Sequence, residues 1–286
     1  MKQTISNLKN KGIIGSQAEI KQLTSGTTAG QVYAVVVCDK PSCIIKFDHP
    51  ADIGVVEIFL KTYEDIGLLP DVYHVDPEKN FFLYEYFEGT THVNRGTKAD
   101  WMRLLVEGLF NHYEKFDSQA PWGRLGGTPR QNWFEFNRIS LDYAYENVGD
   151  LLPYEDYLRM KEIVEQLAEY ERQPDKYLLH GDTGVHNFVF HQNQLIGVID
   201  PDPMVGPVIY DFTYAFCSSP DNLDMETLLA SFALLKNVEM DTSRLVEEVV
   251  FQLYTRVGIC KKVHPHDLEE YLKAWEYWKQ KLKECN

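Results

Sequence analysis

Within one short stretch of this chain, five polar side chains have the types and spacing of a catalytic centre. Tyr177–Asp200 reads YLLHGDTGVHNFVFHQNQLIGVID and carries His180, Asp182, His186, Asn187 and Asp200. Apolar runs end at His180, span Phe188–Phe190, and run from Leu195 to Ile199. Short runs of this kind, broken by Gly and Asn, are the pattern of strands joined by tight turns. Two carboxylates and a carboxamide are thereby set at the ends of buried strands, where each is costly without a partner. A divalent cation carrying phosphates is one such partner. Mg²⁺ is held by one or two carboxylates plus phosphate oxygens, here Asp200 with Asn187 adding a neutral oxygen. Asp182 is then left to orient an attacking hydroxyl and take its proton.

The spacing His180-x-Asp182-x-x-x-x-Asn187, followed by Asp200, resembles the core of the aminoglycoside phosphotransferase and choline kinase-like family, which shares the protein-kinase fold. The resemblance implies an α+β, two-lobe architecture. Residues 1–88 would form an N-terminal nucleotide-binding lobe, an antiparallel sheet with one helix, ending at a hinge. Residues 89–286 would form a larger, mainly helical lobe with the catalytic loop and acceptor site. The implied reaction moves the γ-phosphoryl of ATP or GTP, with Mg²⁺, to a hydroxyl of a small molecule. Asp182 is then the catalytic base, Asn187 and Asp200 hold the metal, and His180 bonds backbone around the loop. His186 faces the acceptor side without an assigned role.

Further residues take roles from the same resemblance. Thr24–Gly30 (TSGTTAG) is a hydroxyl-rich hairpin between two strand patterns. Its Ser25, Gly26, Thr27 and Thr28 can bring N–H groups and hydroxyls to phosphate oxygens. Lys46 resembles the family's phosphate-binding lysine, with Glu57 on the following helix as its partner and Glu64 as a second choice. Glu85, Tyr86 and Phe87 resemble the purine-binding hinge. Whether Leu83 or Tyr84 faces the purine stays open, and with it the choice of ATP or GTP. Asp211, closing the Tyr210-Asp211 pair, resembles the aspartate that braces the catalytic loop. Asp202 either assists a second metal or caps a turn.

Composition sets the outer bounds. The 286 residues, 44% hydrophobic and 13% aromatic, can bury a large core. A formal charge of −15 argues against nucleic acid or an anionic membrane surface as partner. No segment is long and apolar enough to span a bilayer. The five cysteines are scattered without a C-x-x-C pair, and the N-terminus lacks the apolar core of a signal peptide. The expectation is a cytoplasmic protein, monomer or dimer, whose partners are a nucleoside triphosphate and a small acceptor.

Periodicity supplies the remaining elements. Strands are expected at 18–23, 31–38, 42–47, from 69, and at 81–85, with a helix from Pro50 to about Tyr63. Helices are expected at 99–116, 133–148, 154–170, 225–235, 243–257 and 267–283, and the Gly- and Pro-rich 117–131 as a surface loop. Glu135, Asp142, Glu146, Glu155 and Asp156 would form an acidic wall suited to an amine-bearing acceptor, such as an aminoglycoside-type antibiotic, although solvated helix faces look the same. Two other readings stand beside this one: a catalytically silent nucleotide-binding module, and a metal-dependent hydrolase with His180, Asp182 and His186 as ligands.

Overall fold

The computed structural model describes residues 2–23, 31–170, 175–236 and 238–285. The hairpin with Ser25, Gly26, Thr27 and Thr28 lies outside them. After helix α1 (Lys2–Asn10) come β1 (Glu19–Leu23), β2 (Gln31–Val37), β3 (Lys40–Phe47), helix α2 (Pro50–Thr62), β4 (Val72–Val75) and β5 (Phe81–Glu85). These strands form one antiparallel sheet in the order β1-β2-β3-β5-β4.

Side chains alternate across a strand, so each strand feeds two cores. Val35, Cys43, Ile45, Phe81 and Leu83 pack outward with Leu8 of α1 and Ile14. Ala34, Val36, Ile44, Phe82 and Tyr84 pack inward against α2 and the second lobe. Lys46, two residues after Ile44 and opposite Phe82 in the register, therefore points inward. Tyr84 and not Leu83 lies on this inner face. Pro50 at the first turn of α2 and His49, whose Nδ1 accepts from the Ala51 N–H, start that helix; Ile53, Val56, Phe59 and Leu60 bury it.

The second lobe holds α3 (Lys98–Gly108), β6 (Gly123–Arg124), α4 (Trp133–Val148), α5 (Tyr154–Tyr170), β7 (Tyr177–Leu179), β8 (Phe188–His191), β9 (Gln194–Val198) and β10 (Met204–Gly206). It ends with α6 (Val208–Phe216), α7 (Met225–Phe232), α8 (Thr242–Val263) and α9 (Leu268–Cys285). Central α8 packs against α4, α5, α6 and α9. The site rests on two small sheets, β6-β10-β7 and the hairpin β8-β9.

Two expectations need correction, and one element is new. The helix expected over 99–116 stops at Gly108; Leu109 leaves helical geometry, and a 3-10 turn at Phe110–His112 leads to Tyr113. That break turns the chain into an extended run whose Glu114 and Phe116 bond to Leu178 and Lys176 beside β7. The supposed loop 117–131 contains β6, which pairs with β10 and so brings Arg124 inward. Lys2–Asn10, assigned no structure from its sequence, forms α1, anchored by buried Leu8.

Tyr63, just after α2, ties the lobes together. Its hydroxyl donates to the Leu178 carbonyl at 2.6 Å and accepts from the Glu114 N–H at 2.9 Å. Tyr63→Phe strands both groups in a buried site, which costs roughly 1–3 kcal/mol. The expected outcome is a lower urea midpoint with an unchanged m-value; an unchanged midpoint would show that the bond contributes nothing net.

Candidate active site

Strand β7 delivers His180 and β10 follows Asp200, and their antiparallel pairing, Met204 opposite Leu179, holds the two loops side by side. The Asp202 N–H donates to the His180 carbonyl at 2.9 Å and closes the junction. Beneath the loop lies fully buried Asp211. Its carboxylate accepts from the Tyr113 hydroxyl at 2.6 Å and from the Gly181 N–H at 3.1 and 3.2 Å, and its carbonyl accepts from Thr183 Oγ1 at 2.8 Å. Tyr113 in turn accepts from the His180 N–H. Burial raises the Asp211 carboxyl to about 6 against the pull of these donors. Gly181 has φ +79°, and a Cβ there would collide with the Asp202 carbonyl, so no other residue fits.

His180 is wholly buried. Its Nδ1 accepts from the Asp182 N–H at 3.3 Å, so Nε2 carries the proton that bonds the Ile199 carbonyl at 3.2 Å. Both nitrogens serve backbone and neither is left for a metal. The hydrolase reading, which needs His180 as a ligand, fails here. Among the described residues no three His, Cys, Asp or Glu side chains converge on a cation-sized space. Burial lowers the His180 imidazole to about 4.

On Asp182, Oδ2 accepts from Asn187 Nδ2 at 2.9 Å and lies 3.2 Å from His186 Nε2. Burial opposes ionisation, but the bond and charge of His186, then His180 and the Tyr214 hydroxyl, hold the carboxyl well below its usual range. An ionised carboxylate only accepts, so His186 Nε2 bears the proton. The His186 ring lies against Gly184, where any Cβ would strike it, and its Nδ1 is buried without a partner.

Asn187 Nδ2 also donates to the Asp182 carbonyl at 2.9 Å and the Asp200 carbonyl at 3.4 Å. Its donors are committed and its amide oxygen is not. Asp200 accepts from Lys46 Nζ on Oδ1 at 3.1 Å, which leaves Oδ2. Asp200 also has φ +52°, a conformation held only where surroundings enforce it. Two uncommitted oxygens, one charged and one neutral, fit a Mg²⁺ that takes its other ligands from phosphate and water.

Lys46 is partnered differently from expectation. It bonds Asp200 and lies 3.9 Å from Asp48, while Glu57 pairs with Lys61 at 2.7 Å and Lys79 at 3.2 Å. Only Asp48 and His49 separate β3 from α2, and Glu57 falls on the same helix face as Lys61, away from Lys46. Glu64 is exposed. In the segment expected to bind the purine, the Glu85 N–H is taken by the Asp71 carbonyl at 2.9 Å, leaving Tyr86 and Phe87 beyond the sheet. The Phe87 ring occupies the space where Gly197 of β9 would carry a Cβ. Burial, and then Asp200, push the Tyr84 phenol well up, consistent with its inward placement.

Sequence reasoning missed Arg124. Its Nη1 bonds the Asp202 carboxylate at 2.8 Å and carbonyl at 2.9 Å, so Asp202 braces β6 instead of a second metal. No signal within a Gly-rich stretch marks a two-residue strand. The acidic wall is also differently used. Asp142 pairs with Arg138, Asp156 binds Trp275 Nε1 and Lys279, and Glu135 accepts from the Gln131 N–H.

Residues 61–244, well over half the chain, match the model of the phosphotransferase enzyme family. The chain belongs to that family. Solved structures of similar fold include a choline kinase from Cryptosporidium parvum Iowa II, at 15% identity and TM-score 0.64, covering 99% of this chain and 96% of that one. The GDP complex of a mutant aminoglycoside 2'-phosphotransferase-IIIa aligns at 16% identity and TM-score 0.62, covering 98% and 97%. A fructosamine-3-kinase structure from Thermobifida fusca, described as putative, aligns at 17% identity and TM-score 0.57, covering 91% and 94%. No curated protein sequence matches. The fold of this family member is thus the kinase-like one, an antiparallel N-terminal sheet joined to a helical C-terminal part.

Its buried, neutral His180 gives a pH prediction. The folded value near 4 lies below the ordinary 6.5, so the unfolded chain binds the proton first. Stability is fully present above 6.5 and is lost as pH falls through 4, by about 3 kcal/mol in the limit. Thermal midpoints across pH 7 to 4 should fall more steeply for the parent than for His180→Gln. Parallel curves would remove His180 from the acid limb.

Proposed function

We propose that this family member is a small-molecule kinase that moves the γ-phosphoryl of ATP or GTP to an acceptor hydroxyl. The observation that carries this reading is that Lys46, Asp200, Asn187 and Asp182 form one unbroken run of hydrogen bonds. The hinge would lie at Glu85–Glu88, dividing residues 1–88 from 89–286, with the nucleotide between the lobes and the backbone of Tyr86 and Phe87 at its purine.

Each residue's part follows from what phosphoryl transfer needs, which is positioning and charge neutralisation. Asp200 Oδ2 and the Asn187 amide oxygen would hold Mg²⁺, which when bound neutralises charge on the phosphate oxygens. Lys46, steadied by Asp200 and Asp48, adds a cation on the same side. His186 and Asn187 bond Asp182 Oδ2, and the Tyr214 hydroxyl also bonds this carboxylate; the acceptor hydroxyl is assigned to Oδ1. Asp182 orients that hydroxyl and takes its proton as the O–P bond forms. Its low proton affinity suits a loose transition state in which proton transfer comes late. An amine-bearing acceptor loses support, because the carboxylates proposed to receive it include three engaged in helix contacts.

Asp182→Asn should lower kcat by about 10²–10⁴-fold with nucleotide affinity nearly unchanged. A coupled nucleotide-consumption assay over hydroxyl-bearing metabolites and antibiotics, followed by kinetics on the variant, measures it. Unaltered turnover would take Asp182 out of the chemistry, and nucleotide binding without turnover on any acceptor would favour the silent module. Asp200→Ala should abolish the Mg²⁺-dependent part of nucleotide binding; calorimetry on parent and variant with and without Mg²⁺ reads this directly, and a variant that keeps the parent's gain in affinity from Mg²⁺ would refute the metal assignment.

A further inference from the structure

The histidines that look dispersed in the sequence gather on one side of Asp182. His92 stacks on His186, centroids 6.4 Å apart and planes 23° from parallel; His264 lies 6.4 Å beyond, and His266 a further 6.0 Å. These spacings describe a row, with no common point for a metal. The row begins at the residue bonded to the candidate base and runs to the connection between α8 and α9.

Two features show that the row is built. His92 has φ +68°, a conformation that a non-glycine residue keeps only when its surroundings impose it. Its loop is pinned at both ends to the β8-β9 hairpin. Thr90 bridges Phe190, and Gly96 sits against the Asn193 carbonyl so closely that no Cβ fits. The second feature is Arg256, a buried cation from α8. Its Nε bonds the Tyr271 hydroxyl at 3.1 Å and its Nη2 the Ser218 carbonyl at 3.0 Å, and Nη1 carries neither bond. No described carboxylate forms an ion pair with it, although a buried charge ordinarily requires a counter-charge. Arg256 acts electrostatically on His92, His264 and Tyr214. The other charges facing these rings are Arg95, already paired with Asp221, and Asp267, 3.6 Å from His266.

We infer that the acceptor of this kinase carries an anionic group, a carboxylate or a phosphate, received by His92, His264 and Arg256 while its hydroxyl faces Asp182. The inference deepens the proposed function and rests on it for the position of the hydroxyl. Imidazole N–H groups and a guanidinium with a spare nitrogen are donors matched to an anion's oxygens. An ammonium group would find donors and an uncompensated cation there.

The test fills the nucleotide side first, so that anions cannot bind in place of phosphates. Protein saturated with MgADP is titrated separately with acetate, inorganic phosphate and tetramethylammonium. Imidazole C–H resonances are followed by NMR and assigned with His92→Ala and His264→Ala. One or both anions should shift the His92 and His264 signals saturably, and tetramethylammonium should leave them in place. In the H92A/H264A double variant, read on His186, anion affinity should fall at least tenfold with MgADP affinity within twofold of the parent. Both positions are at or near the surface, so this variant should fold. Acetate alone would mark a hydroxy acid, and phosphate alone a phosphorylated alcohol. Saturable shifts with tetramethylammonium, no saturable shift with either anion, or an unweakened double variant would each overturn the inference. Failure of MgADP to bind would count against the kinase reading, and the same titrations on nucleotide-free protein would still judge the anion subsite.

Discussion

A carboxylate without access to water, Asp211, is the constraint on which the site depends. It accepts the Gly181 N–H and the Tyr113 hydroxyl, and through Tyr113 it also fixes the His180 N–H. Two consecutive residues of the loop, His180 and Gly181, are thereby tied to groups that cannot rearrange without leaving a buried donor unmatched, and the Thr183 hydroxyl adds a third tie at the Asp211 carbonyl. Burial disfavours the charge on Asp211, and the donors around it offset part of that cost. The helix break at Leu109 belongs to the same design, since a continued helix would not present the Tyr113 hydroxyl here.

Around this frame the chain sorts its aspartates by partner. Asp182 meets the donors of His186 and Asn187, which stabilise its charge. Asp200 meets Lys46, a single cation that takes one oxygen and leaves the other. Asp202 meets Arg124 and is used up as a brace. Four aspartates within thirty positions thus take four roles, and identity alone distinguishes none of them. Position along β7 and β10 and the reach of Lys46 and Arg124 make the difference.

Much of this was legible in the sequence, and the limits are physical. The loop residues could be found because Asp182, Asn187 and Asp200 are too polar for the apolar runs beside them, and a strand–turn–strand pattern fixes where they must emerge. Helices 133–148 and 154–170 were legible because their periodicity is long and clean. The partner of Lys46 was not, since which face of α2 turns toward it depends on a two-residue connection that propensity does not encode. Arg124 and the histidine row were hidden for another reason. Both assemble from segments far apart in the chain, β6 with β10 and residue 92 with 186 and 264, and a linear pattern carries no trace of such meetings.

The ring of Phe87 resting on the bare backbone of Gly197 has a mechanical corollary. With no side chain between them, the segment leaving the N-terminal sheet is in contact with the strand that leads to Asp200. Phe87 is thereby held to the hairpin, with Tyr86 alone between that contact and the end of β5 at Glu85. The ion pair between Lys46 and Asp200 is a second tie between the N-terminal sheet and the end of that strand's path, so sheet and hairpin are fastened at two separate points.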